Sequence, residues 1–226
     1  MKSLTFSLSL LSIFIICCNQ IPKEKIDKQQ TKTTKLWKET NRQFLVDELK
    51  RTRDELLDEI QELNDEKWNF KEESKRWSIA EIVEHLEVQD ELYFREIFLT
   101  TKTPQSDKYI EIVKGKDKEF LKYAVDTVKG NAGWTLEPIG RYCSKESAMK
   151  SFIRTRNHII KFVEETDLDL RRFFTFRKYL DDSGLSDIRL WDVRDLHQLL
   201  LTTIAHTDRH LNQLRNVKRH PKYQEK

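Results

Sequence analysis

Helix breakers are scarce in this chain. It has five glycines and four prolines in 226 residues, with none between Lys23 and Thr103, none between Arg141 and Ser183, and none between Leu185 and His220. Gly115, Gly130, Gly133, Pro138 and Gly140 gather in one middle segment. Breakers are thus missing where helices would run and concentrated where a loop would sit. Period-two alternation long enough for a sheet is also missing, and so is any internal repeat. Charge of one sign is not in excess: 41 basic and 38 acidic residues are interleaved, leaving a formal +3. A nucleic-acid binder usually carries a concentrated basic stripe. The basic cluster here, Arg215, Lys218, Arg219 and Lys222, includes the last turn of an expected helix, where cations favour the dipole. Nucleic acid is therefore not an expected partner. Cysteine is limited to Cys17, Cys18 and Cys143. If Cys18 is lipidated, only Cys143 remains in the mature chain, which excludes a disulfide framework within one molecule.

What is present suits long amphipathic helices. Charged residues make up 35% of the chain, while twelve Phe, five Trp and six Tyr argue against disorder. The length suffices for one domain with a sizeable core.

The first eighteen residues, MKSLTFSLSLLSIFIICC, read as an address. Lys2 gives a positive start, and Leu4 to Ile16 is an apolar run of secretory-signal length, too short to span a bilayer comfortably. The run ends on two cysteines and turns polar at Asn19. This resembles a bacterial lipoprotein signal, cut just before a cysteine that then carries lipid. Cys18 follows the small Cys17, whereas Cys17 follows the bulky Ile16, so Cys18 is the better candidate and Cys17 the other. An ordinary signal peptide and an uncleaved anchor are the alternatives. Residues 19–34 are polar and Lys-rich and read as a tether. The expected organisation is a signal over 1–18, a tether over 19–34, a helical domain over 35–221 and a short tail over 222–226. The expected location is a membrane surface outside the cytoplasm, periplasmic or cell-surface, and a homodimer is an open alternative to a monomer.

Four long helices are expected. Leu45, Leu49, Leu56, Ile60 and Leu63 form a helical stripe, predicting a first helix from about Leu36 to Asn64. Ser78 and Glu81 form a capping box, with Trp77 and Ile82 as a hydrophobic staple, opening a second helix that runs to about Thr100. Ser144 caps a third from about Lys145 to Glu165, with Ala148, Phe152, Ile159 and Val163 inward. A fourth runs from about Asp192 to Lys218, with Leu196, Leu199, Leu200, Thr203, Leu211 and Leu214 inward and Pro221 just beyond. Short extra helices are expected around Tyr109 to Val128.

Six histidines separate by position. His206 and His210, four apart, fall inside the apolar arc of the fourth helix, about 5–6 Å from each other. Two imidazoles so spaced can ligate one ion, the geometry used by the helical HExxH motif. Thr207 follows His206 where that motif has Glu, so a zinc-protease reading fails. His85 lies beside Ile82 and Leu86 on the second helix, roughly 10 Å beyond its cap. His210 is nine residues before Arg219, near the end of the fourth helix. The three rings share one level only if these two helices are antiparallel, which requires a long crossover between the second and third helices. The stretch from Lys102 to Cys143 is long enough to supply it. His85 could equally be a satisfied core residue. His158, His197 and His220 read as structural or surface groups.

The segments Arg76–Glu87 (RWSIAEIVEHLE) and Asp195–Gln213 (DLHQLLLTTIAHTDRHLNQ) resemble the DinB superfamily of DinB/YfiT-like metalloproteins. Trp134–Arg141 (WTLEPIGR) and Phe152–Arg156 (FIRTR) are similar to one branch of it. The resemblance covers about Leu36 to Pro221. It implies an all-α four-helix bundle with a right-handed crossover between helices two and three. It also implies a three-histidine site for zinc, nickel or a similar divalent ion, completed by water, with His85, His206 and His210 in the ligand positions. The superfamily includes thiol-dependent transferases and isomerases, while the lipoprotein signal departs from mostly cytoplasmic members and weakens the thiol-transfer reading.

Three functions follow as expectations. The first is a small metalloenzyme, hydrolytic or transferring a thiol to an electrophile, since an open three-His site can activate water or a thiol. The second is a non-catalytic metal- or ligand-binding lipoprotein, stress-related or otherwise. The third is a metal-free bundle in which the histidines only pack. No general base stands out: Asp208, Glu81 and Glu84 read as solvated, or for Glu81 as the cap. Gln213, three residues after His210, is placed to orient a ligand.

Overall fold

The computed structural model describes residues 34–122, 132–176 and 193–225. The expected signal, the expected lipidation site and nearly all of the expected tether fall on residues 1–33, outside the described residues.

Long helices form where the apolar stripes and caps coincide. They are α1 (Glu39–Ile60), α3 (Ile79–Thr100), α6 (Lys145–Glu165) and α7 (Leu196–Arg219). Short helices α2 (Asp65–Trp68), α4 (Ile110–Val113) and α5 (Asp117–Lys122) lie in the connections, and α8 (Pro221–Gln224) follows α7. Ser78 opens α3 by accepting the Glu81 N–H while the Glu81 carboxylate accepts the Ser78 N–H, the capping box expected. Ser144 opens α6 in the same way, through the Ser147 N–H.

Three helix boundaries differ from the sequence expectation, the two starts for tertiary reasons. The first helix begins at Glu39, not near Leu36, because the Asp169 carboxylate takes the Leu36 and Trp37 N–H groups at 2.7 and 2.9 Å and holds them in a bend outside the helix. It ends at Ile60, and Asn64 instead caps α2 through the Lys67 N–H. The fourth helix begins at Leu196, not near Asp192. Residues Val193–Asp195 form strand β2, antiparallel to β1 (Phe174–Phe176), with Thr175 opposite Arg194. Asp195 then caps α7 through the Gln198 N–H at 2.7 Å.

Cross-helix contacts set the directions. Arg42, early in α1, bonds the Val163, Glu164 and Thr166 carbonyls at the end of α6, and Lys145, opening α6, reaches the Gln61 and Leu63 carbonyls; α1 and α6 are antiparallel. Arg51 pairs with Asp208, Glu55 with Arg215 and Glu59 with Lys218, so α1 and α7 are parallel. Glu87 meets Ser151 and Thr155, Asp90 meets Arg156 and Phe94 meets His158, so α3 and α6 are parallel. His85 near the start of α3 meets His206 midway along α7, while Glu96 near the end of α3 pairs with Arg194 just before α7. Helices α3 and α7 are therefore antiparallel, as the histidine levels required. The chain is an all-α four-helix bundle with a long crossover from α3 to α6 that carries α4, α5 and a 3₁₀ turn at Trp134–Leu136.

The interior has two apolar levels. One gathers Trp37, Leu45, Leu49, Tyr93, Ile97, Ile159, Val163, Leu199 and Ile204. The other gathers Leu56, Ile60, Ile82, Leu86, Phe152, Leu211 and Leu214. Each fully buried Leu or Ile contributes about 1.5–3 kcal/mol. Between the levels lies a polar floor with one group from each helix: Thr52, Asp90, Arg156 and Thr207, all buried. The Arg156 guanidinium joins them, donating to Asp90, to Thr52 Oγ1 at 2.8 Å and to Thr207 Oγ1 at 2.8 Å. Such a group is tolerated inside because every N–H has an acceptor. Among the described residues no helix is long and apolar enough to cross a membrane.

Candidate metal centre

Antiparallel packing brings three imidazoles together just beyond the polar floor. His85, His206 and His210 are all buried. Their candidate ligand atoms lie within 4.8 Å of one another. The Nε2 atom of His206 is 3.3 Å from that of His85 and 3.2 Å from that of His210. Two nitrogens bound at about 2.0–2.1 Å to one ion with a tetrahedral angle stand about 3.3–3.4 Å apart. These two spacings therefore suit ligands of one ion. Among the described residues this is the one such group of His, Cys, Asp and Glu.

In two of the rings, His85 and His210, the outer nitrogen is engaged so that the inner one can accept an ion. His85 Nδ1 lies 2.8 Å from the Leu136 carbonyl oxygen. A carbonyl only accepts, so Nδ1 carries the proton and Nε2 keeps its lone pair. His210 Nδ1 is likewise 2.8 Å from Gln213 Oε1, the orienting role expected of Gln213. Burial lowers the pKa of His85, opposed in part by the Leu136 carbonyl. Burial, followed by the charge of His85, pushes His210 down to about 3. Burial, then the charges of His210 and His85, drives His206 well below its ordinary value. All three rings are thus neutral at neutral pH, the state a metal ligand requires. Trp77, half-buried just before the α3 cap, covers one side. Its ring centroid is 4.8 Å from that of His85 and 6.2 Å from that of His210.

Glu84 is buried, contrary to the solvated face expected for it. A carboxylate can leave water when N–H donors replace it, and here four do: the Ile139, Gly140 and Arg141 amides and the Arg141 guanidinium. Glu81 serves the α3 cap, and Asp208 pairs with Arg51 at 2.9 Å. None of these three carboxylates belongs to the histidine group.

The other histidines lie elsewhere. His197 is buried near the start of α7, where its Nδ1 accepts the Trp37 indole N–H at 3.2 Å. His158 is exposed against Phe94, and His220 closes α7 with its ring 5.6 Å from that of Phe70. Of the loop aromatics, Trp134 is 86% exposed, Phe173 packs in the first apolar level and Phe174 packs with Val113 and Val193. The Leu136 carbonyl escaped the sequence because a backbone acceptor leaves no residue-type signal. Glu84 escaped it because acidic residues on helices are mostly solvated.

Fold and site together define a four-helix bundle with a buried three-histidine cluster between antiparallel helices. The model of the DinB superfamily matches residues 48–214, and the chain belongs to that superfamily. No curated protein and no solved structure matches the chain.

Proposed function

We propose that this protein holds one divalent transition metal ion, zinc or nickel, through the Nε2 atoms of His85, His206 and His210, and uses it on a small-molecule substrate as a hydrolase or thiol transferase. The convergence of three neutral imidazole nitrogens carries this proposal. Two ring nitrogens turn their lone pairs toward a third, and all three lie within 4.8 Å of one another, the donor set that one such ion takes. When bound, such an ion supplies Lewis acidity that lowers the pKa of a coordinated water or thiol toward neutrality. The protein's own part is positioning: Leu136 and Gln213 hold the outer nitrogens, and Trp77 shields one flank from solvent.

A second reading, a metal- or ligand-holding protein without turnover, draws on a different observation. Glu81, Glu84 and Asp208 are all engaged away from the cluster, so none of these three carboxylates is placed to serve it as a general base. Metal analysis of the wild type beside His206→Ala tests both readings. Stoichiometric metal lost in the variant supports the site, and equal metal in the two proteins rejects it. Turnover in ester, amide or thiol-acceptor panels then selects the enzyme, and tight metal with flat panels selects the binder.

The lipoprotein-like start supports a further element of the proposal: attachment to a membrane outside the cytoplasm through lipid on Cys18. Membrane partitioning that is lost in Cys18→Ala supports it, and unchanged partitioning points to another anchor.

A further inference from the structure

Helix α3 carries Glu84, Glu87 and Asp90 at three-residue spacing, which puts them on one face, and all three are buried. Each holds a different part of the molecule. Asp90 takes Arg156. Glu87 takes the hydroxyls of Tyr142, Ser151 and Thr155. Glu84 takes the crossover loop. One of its oxygens accepts the Ile139 N–H at 2.7 Å and the Arg141 guanidinium at 2.8 Å, and the other accepts the Gly140 and Arg141 N–H groups at 3.0 and 3.1 Å. Three successive amides converge on one carboxylate because Gly140 adopts a left-handed φ of 76°.

The same loop supplies the Leu136 carbonyl that bonds His85 Nδ1. Neighbouring residues of α3 therefore grip one loop at two points, Glu84 by its amides and His85 by a carbonyl. With four donors on its two oxygens, Glu84 is a poor candidate for a metal ligand. We infer that Glu84 is a positioning residue for the metal centre. By clamping residues 139–141 it holds the Leu136 carbonyl against His85, keeps the proton on Nδ1 and leaves Nε2 directed at His206. The inference rests on the three-histidine reading, but its first consequence, the tautomer of His85, is present without metal.

Glu84→Gln places an amide NH₂ against N–H donors and opens the clamp. Glu87→Gln, one turn along the same buried face, leaves all four donors of Glu84 in place. Gly140→Val opens the clamp from the loop side, since a β-branched residue resists this φ while its Cβ meets no neighbouring atom within 4 Å. The full-length chain, purified in detergent and stripped of metal, is examined by nitrogen NMR of its histidine rings and then titrated with zinc against a competing chelator. Wild type shows His85 as a single Nδ1–H tautomer. Glu84→Gln and Gly140→Val show a mixture and bind zinc about tenfold more weakly, the lower end of the range for groups that orient a ligand. Glu87→Gln matches the wild type in both. Should Glu84→Gln fail to fold, Gly140→Val carries the test. Wild-type tautomer and zinc affinity in the clamp variants overturn the inference, as does an equal loss in Glu87→Gln. Failure of wild type to bind zinc, with the tautomer shift intact, rejects the metal reading and leaves the positioning role standing.

Discussion

Arg156 meets Asp90 in a two-pronged pair, Nε to Oδ2 at 2.7 Å and Nη2 to Oδ1 at 3.1 Å, with both side chains buried. Removing one partner strands a buried charge, which costs about 3–5 kcal/mol. Arg156→Leu is expected to lose that much in urea unfolding. Asp90→Leu with Arg156→Leu should recover most of it, because apolar replacements of a buried pair are often neutral. A double variant no more stable than the single one would contradict this account.

Zinc should stabilise the wild type by mass action. At one hundred times its dissociation constant, zinc adds about 2.7 kcal/mol through selective binding to the folded state. The rise in Tm is expected to vanish in His206→Ala. A rise of the same size in that variant would place zinc elsewhere.

Gln213→Ala removes the acceptor of His210 Nδ1. Loss of such a partner typically weakens metal binding about 10- to 100-fold. Chelator competition measures this directly, and stability without metal should change by less than about 1 kcal/mol because Gln213 is only half-buried. Unaltered affinity would remove Gln213 from the site.

Acid should weaken the fold through His197. Its folded pKa is pushed down to about 3, by burial first and then by Arg171, against an ordinary 6.5, while Asp117 acts the other way. The unfolded chain takes up this proton near pH 6.5 and the folded chain only near 3. Stability from this neutral ring is thus complete above pH 6.5 and falls with pH between the two values, by about 1.4 kcal/mol per unit. Urea midpoints of wild type and His197→Gln between pH 6 and 5 test the sign and size. The variant should show the shallower slope, and parallel slopes would exclude His197 as the source.

Much of this was legible in the chain. The starts of α3 and α6 are marked by Ser78–Glu81 and Ser144, since a cap is a local event between residues three apart. The histidine levels require antiparallel α3 and α7 if the three rings are to meet. The start of α1 was not legible, because it is decided by Asp169, 132 residues from Trp37. The start of α7 was obscured by a strand of three residues, too short to show alternation, although Asp195 and Gln198 have capping-box spacing. The site divides in the same way. Its ligands and Gln213 follow helical periodicity, whereas Leu136 and Glu84 act through a loop 51 to 57 residues away from α3.

The polar floor also governs sliding. A helix that slipped by one turn, about 5.4 Å, would carry Arg156 away from Asp90 and into an apolar level, or bring Phe152 or Ile159 onto the floor. Apolar contacts alone penalise such a slip weakly, because one leucine can replace another. A charged group with fixed acceptors on three neighbouring helices penalises it steeply, so the floor acts as a registration pin. The double leucine variant should therefore separate two properties that the native protein keeps together: it can regain its stability and still hold zinc less tightly, having lost the device that keeps α3 and α7 in step.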